Sequence, residues 1–224
     1  MDESTRDHCI RCGVCCRSGS PTLHVEDAAL VIDGVIPIAS LYTIRRGEVV
    51  RDNVHGGGLA LVGTERVKVK ERDVPPHPTA CSFYDHPGKA CTIYERRPSQ
   101  CAALECWNPK AFMEVYERPR AERSHLIDDP NLLGFMEEHE SVCGYPAVDR
   151  AVKEMAREGQ AAVEKLIRLI QEDHRFRVQA VQGLGVPEEA LGFVLGRPLT
   201  RTLHMFGLQL KERPDGSLLL TRIE

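Results

Sequence analysis

Residues 9–16 read Cys9-Ile10-Arg11-Cys12-Gly13-Val14-Cys15-Cys16. The spacing C-x2-C-x2-C-C puts three or four sulfurs on one tight loop, so thiolates converge on a metal ion or a small polynuclear centre at little cost in chain closure. Gly13 leaves the backbone free to bend there and to turn amide N–H groups toward sulfur. Because Cys15 and Cys16 are adjacent, only three of these thiols face one centre comfortably. The rest of a ligand set has to come from elsewhere in the chain.

A second group supplies it. Cys81, Cys91, Cys101 and Cys106 follow as C-x9-C-x9-C-x4-C, without the paired C-x2-C knuckles of zinc fingers and ribbons. The first run is closer to the bacterial ferredoxin pattern C-x2-C-x2-C-x3-C-P, although here the fourth cysteine follows at once and no proline comes after it. Charge does not choose the occupant, since four thiolates leave the same net charge around Zn²⁺ and around a 2+ four-iron cluster. Either would be favoured by Arg11, Arg17, Lys89, Arg96 and Arg97 nearby in sequence. The candidate metal ligands are therefore Cys9, Cys12, Cys15, Cys16, Cys81, Cys91, Cys101 and Cys106. The ninth cysteine, Cys143, stands beside Gly144-Tyr145-Pro146 and reads as a core residue. A disulfide framework is disfavoured, because Met1 to Asp7 is acidic and lacks the basic start and apolar stretch of a secretory signal. A cytoplasmic protein with reduced thiols is the expectation.

Cys9-x2-Cys12-Gly13-x-Cys15-Cys16, then Cys81-x-Phe83, then Cys91-x-Ile93-Tyr94-x2-Arg97-Pro98-x2-Cys101, resembles the YkgJ-like cysteine-cluster family, described as chelators of zinc or iron. The resemblance covers about the first 106 residues. It implies a cytoplasmic protein holding an iron–sulfur centre or zinc, and a related domain is associated with flagellin lysine N-methylases. Ala102 departs from the family pattern, which commonly has Arg after the third downstream cysteine. Tyr94 and Arg97 are candidate cofactor-binding residues, Arg97 offering charge-assisted hydrogen bonds to sulfur or a bound anion; the competing reading is a turn held by a surface arginine. Trp107 reads as a shield against water. His8, His24, His77 and His86 could substitute as ligands, but each alone reads as a surface or turn histidine.

The remainder of the 224 residues sets the frame. Leu, Ile, Val and Phe make 57 residues, about a quarter of the chain, above the roughly one-fifth that goes with disorder at high net charge. Lys+Arg 29 against Asp+Glu 33 gives −4, which disfavours nucleic acid and anionic membrane as partners. The apolar stretch Ala28 to Ile44 is broken by Asp33-Gly34 and Pro37 and is too short to span a bilayer.

The expected fold is α+β: a cysteine-rich lobe with short strands over 1–108, then a helical region with a terminal hairpin over 109–224, packed as one unit with the first. Within it we expect a strand at 22–25, helices at 26–31 and from Pro37 to Arg46, and a strand over 65–71 where Val67 and Val69 alternate with charges. Short strands are expected at 82–84 and 91–94, helices at 109–117 and 131–142, and a helix or helix pair over 148–170 meeting near Gly159. Another helix should start at Pro187, and strands at 207–213 and 218–223 should flank Pro214-Asp215-Gly216. Gly56-Gly57-Gly58 lacks the context of a phosphate loop and reads as a linker.

Function then divides between an iron–sulfur protein, one or two 4Fe-4S clusters serving a redox or cluster-dependent role with a protein redox partner or substrate, and a zinc module whose tetrathiolate sites staple an irregular segment. Metal storage would need labile, exposed thiolates. An oxidoreductase is the enzyme class the first reading points to, but no nucleotide fingerprint or nucleophile–base pair is present.

Overall fold

The computed structural model describes residues 7–52, 54–212 and 218–223. In chain order its elements are α1 (Val14–Ser18), α2 (Ala28–Ile32), β1 (Leu41–Ile44), β2 (Val49–Arg51), β3 (Leu59–Leu61), β4 (Arg66–Val69), β5 (Glu71–Val74), β6 (His77–Cys81), β7 (Tyr84–Asp85) and β8 (Ala90–Cys91). There follow α3 (Ser99–Ala103), α4 (Lys110–Tyr116), α5 (Pro130–Cys143), α6 (Tyr145–Glu158), α7 (Gln160–Leu184), α8 (Leu191–Val194), α9 (Leu199–Thr202), β9 (Leu208–Glu212) and β10 (Leu218–Arg222). The class is α+β, with short strand pairs early, a helical stretch after them and a C-terminal hairpin. No described helix is long and apolar enough to cross a membrane.

The chain forms two compact units, Met1–Tyr42 with Arg66–Leu126, and Thr43–Glu65 with Ile127–Glu224. In the first, the apolar alternation of β4 buries Val67 and Val69 completely. Three segments close on one another there: Leu23 N–H donates to Val67 O, Ala121 N–H to Leu23 O, and Val67 N–H to Ala121 O, each at 2.9 Å. Leu23 and Ala121 are also fully buried, so the ring of backbone bonds is shielded from water. The expected strand at 22–25 is accordingly reduced to bridge pairings at Thr22 and His24. β5 pairs antiparallel with β6, and β7 with β8, where Tyr84 faces Cys91.

In the second unit β2 and β3 form an antiparallel hairpin, so the Gly56–Gly58 segment is its turn. α6 and α7 are separated at Gly159, whose φ of +52° ends one helix and starts the other. Their inner faces bury Val148, Ala151, Ala162, Leu166 and Ile170, and leave Val152 and Met155 half-buried. Phe135 of α5 meets Phe176 of α7 edge-on at 5.3 Å. Asp129 caps α5 through the N–H groups of Asn131 and Leu132. The C-terminal hairpin pairs Leu220 with Leu210; its turn at Pro214-Asp215-Gly216 lies outside the described residues.

Two further expected elements are corrected. The helix from Pro37 to Arg46 is a single 3₁₀ turn, Ile38–Ser40, followed by strand β1. Tyr42, Thr43 and Ile44 are aromatic and β-branched residues that lose side-chain freedom in a helix and pack well on a strand. The expected helix at Pro187 is a 3₁₀ turn, Glu188–Ala190, running into the short α8.

Candidate metal centre

The cysteine loop is shaped before any thiol is considered. Gly13 has φ +72° and opens α1, a left-handed conformation that an L side chain takes only with strain. A Cβ there would lie 2.3 Å from Tyr84 Oη and 2.6 Å from Cζ, and Tyr84 is buried at 4% exposure. The glycine is what lets the loop rest on the β7–β8 hairpin. Arg17, at the end of α1, donates to Gly13 O and Cys12 O, both at 3.3 Å, and to His77 Nε2 on β6 at 3.2 Å. The guanidiniums of Arg11 and Arg97 lie over the Tyr94 ring at 4.2 and 4.1 Å from its centroid. Two side-chain links, Arg17–His77 and Arg11–Tyr94, and the close approach of the Gly13 backbone to Tyr84 thus tie the first cysteine group to the second.

The thiols follow from this frame. Cys15 and Cys16 have sulfurs 3.9 Å apart, about the edge of a tetrahedron around zinc with Zn–S near 2.3 Å. A hydrogen bond from Cys16 lowers the Cys15 thiol to about 6 against the opposing effect of burial, helped by the N–H groups of Cys16 and Cys15 and by Arg97. The shared bond therefore favours the thiolate form on one sulfur of this pair. Cys16 is raised by that same bond, by burial, and by the charges of Cys15, Cys101 and Cys91. Burial raises Cys101 most, reinforced by Cys81, Cys91 and Cys15 and opposed by Arg97. Burial also raises Cys81, with the Phe83 N–H opposing it, Cys91 adding to it, and Lys68 and Glu71 acting in opposite senses.

Five sulfurs from both groups, Cys15, Cys16, Cys81, Cys91 and Cys101, are therefore close enough to repel one another as anions. That is a donor set a cation relieves: metal binding replaces thiol protons and removes the repulsion that adds to burial in raising Cys16, Cys81 and Cys101. The all-sulfur composition fits zinc and iron–sulfur centres equally. Among the described residues no three His, Cys, Asp or Glu side chains are already drawn together as ligands of one ion. Cys9, Cys12 and Cys106 are exposed; the Arg11 N–H points to Cys9 Sγ at 3.4 Å, the amide-to-sulfur geometry expected of the loop. Cys143 lies in the other unit, fully buried, its Sγ 3.8 Å from Leu169 O and pushed up to about 12 by burial.

Among the other expected residues, Arg97 acts on Cys15 and Cys101 and Tyr94 carries the two arginines. Arg96 instead pairs with Asp33 at 2.8 Å, and Trp107 is half-buried. His8 is exposed beside Asp7. His86 packs edge-on against Tyr84 at 4.8 Å, its Nε2 buried without a hydrogen-bond partner. His24 is neither a surface nor a turn residue: it is fully buried. The roles of Tyr84, Lys68, Glu71 and His24 carried no sequence signal, because each arises from contact between segments distant in the chain. A buried aromatic one residue beyond Cys81-x-Phe83 is the nearest thing to one.

The family model CxxCxxCC, described as "Putative zinc- or iron-chelating domain", matches residues 8–120. Comparison with the curated proteins and with the solved structures gives no match.

Proposed function

Since the chain belongs to the CxxCxxCC family of zinc- or iron-chelating domains, we propose that its first unit holds an iron–sulfur cluster and passes electrons to or from a partner protein. The observation that carries this reading is the mutual electrostatic action of Cys15, Cys16, Cys81, Cys91 and Cys101 across the two cysteine groups. Cys9, Cys12 and Cys106 complete the ligands or form a second centre. When bound, the cluster supplies one-electron chemistry. The chain's own residues do the rest: Gly13 lets the loop approach Tyr84, Arg17 and Arg11 pin it, and Arg97 places positive charge beside Cys15 and Cys101. Positive charge there favours the more negative, reduced form of the centre and raises its potential.

Protein purified without oxygen should show broad visible thiolate-to-iron absorption, iron and acid-labile sulfide, and a paramagnetic signal after dithionite reduction. Colourless protein carrying stoichiometric zinc, with no signal after anaerobic reconstitution with iron and sulfide, overturns the redox reading. That outcome would establish the alternative favoured by the 3.9 Å Cys15–Cys16 separation, a zinc module that staples an irregular segment.

A further inference from the structure

Cys101 is carried by α3, a helix of five residues, too short to hold its own orientation. Its first turn is held from outside. Ser99 N–H and Oγ donate to the two carboxylate oxygens of Asp27 at 2.8 and 2.9 Å, and Asp27 also accepts the N–H of His24 at 2.9 Å. Gln100 is almost fully buried. Its Oε1 accepts the Thr22 N–H at 3.0 Å, which fixes the amide and aims its NH₂ at His24 Nε2, 3.1 Å away. Arg120 Nη1 is 2.9 Å from the same nitrogen and 3.3 Å from Nδ1.

A guanidinium and an amide NH₂ can only donate, and the Gln100 contact and the shorter Arg120 contact are both made at Nε2, so Nε2 is assigned as the acceptor and the ring proton to Nδ1, which has the Pro119 carbonyl to receive it. Nδ1 then donates to Pro119 O at 3.2 Å. The ring is neutral and its single lone pair is shared by two donors. A proton at Nε2 would face both of them, one a cation, and would push Gln100, the residue preceding Cys101, away from the ring.

We infer that His24 is a positioning residue for Cys101, and that its protonation loosens the metal centre by displacing Gln100 and the first turn of α3. This rests on the metal-binding reading above. Charged groups around the ring act in both directions. Burial lowers its pKa most and Arg120 adds to this, while Asp27, the Pro119 carbonyl and Glu26 oppose it. Tyr116, Arg66 and Glu117 act on Arg120, and Glu26 is itself paired with Arg118 at 2.7 Å. The net direction is downward, so His24 is neutral at physiological pH and takes up a proton only below the ordinary histidine range.

The test uses the full chain loaded with zinc, and follows release to a chromogenic chelator across about pH 7.5 to 5. His24→Leu removes the acceptor and should weaken zinc binding about tenfold or more at the upper pH, as loss of an outer-shell partner does. His24→Gln keeps an acceptor for Gln100 and Arg120 but cannot take up a proton. It should bind more tightly than His24→Leu, and its release curve should lie at lower pH than that of the wild type. Superposed release curves for wild type and His24→Gln overturn the inference, as does a His24→Leu chain that holds zinc like the wild type. If His24→Leu does not fold, the His24→Gln curve still decides. A wild-type chain that takes up neither zinc nor, on anaerobic reconstitution with iron and sulfide, a cluster overturns the metal-binding reading, and this inference with it.

Discussion

Replacing Gly13 by alanine tests whether the cysteine loop is built on Tyr84. The new Cβ would lie 2.3, 2.6 and 2.7 Å from Tyr84 Oη, Cζ and Cε2, against an ordinary contact of about 3.5–4.0 Å. Tyr84 is 4% exposed, so its ring has no solvent to swing into, and relief of about 1 Å must come from the loop. Overpacking of this kind costs about 1–3 kcal/mol, and alanine at φ +72° adds about 1 kcal/mol. The expected loss is about 2–4 kcal/mol. Because the strain is local to the loop, it falls on metal affinity, and its lower end alone is about thirtyfold.

Zinc affinity of the full chain, measured by chelator competition on the wild type, Gly13→Ala, Tyr84→Ala and the double variant, separates the two contributions. Removing the ring removes the clash and leaves the backbone strain. The double variant should therefore lose less than the sum of the single variants by about 1–3 kcal/mol. Strictly additive losses, or wild-type affinity in Gly13→Ala, would refute the reasoning.

Two further outcomes are expected. Cys101→Ser and Cys15→Ser should lose bound metal, while Cys143→Ser, altering a buried thiol of the other unit, should keep its metal and lose about 1–2 kcal/mol of stability; elemental analysis and urea unfolding check this, and metal loss in Cys143→Ser would overturn its placement as a core residue. The second unit should weaken on acidification. His139 Nε2 donates to Asp173 at 2.8 Å, with Arg177 at 3.0 Å on the other carboxylate oxygen. Burial holds His139 below its ordinary value against the opposing hydrogen bond from Asp173. Burial works to raise Asp173, but His139, Arg177 and the Leu199 N–H outweigh it and hold its carboxyl well below the usual range. Both folded values lie below the unfolded ones, so the contribution is complete above them. It drains away below about pH 6.5 for His139 and below about pH 4 for Asp173. Amide exchange in α5 and α7 should speed up between pH 7 and 5, after correction for intrinsic rates, and less so in His139→Gln. Protection that stays flat or rises in the wild type would contradict this.

The sequence by itself determined what depends on local spacing. Cys9-x2-Cys12-x2-Cys15-Cys16 carries its chemistry in the loop alone, Val67 and Val69 announce their burial by alternation, and the 148–170 pattern with Gly159 announces two helices, because pleat and helix periods are properties of neighbouring residues. Pro37 to Arg46 misled because a proline start signal competed with a β-branched run whose strand preference is expressed only against packed neighbours. Tertiary structure alone decided how Gly13 meets Tyr84, which thiols repel one another, and how His24 and Asp27 hold the helix of Cys101. Gly13 and Tyr84, Asp27 and Ser99, His24 and Gln100, and Cys15 and Cys101 lie about 70 to 90 positions apart. These relations exist because buried donors, acceptors and charges must find partners wherever the fold brings them, and no spacing within the chain encodes where that will be.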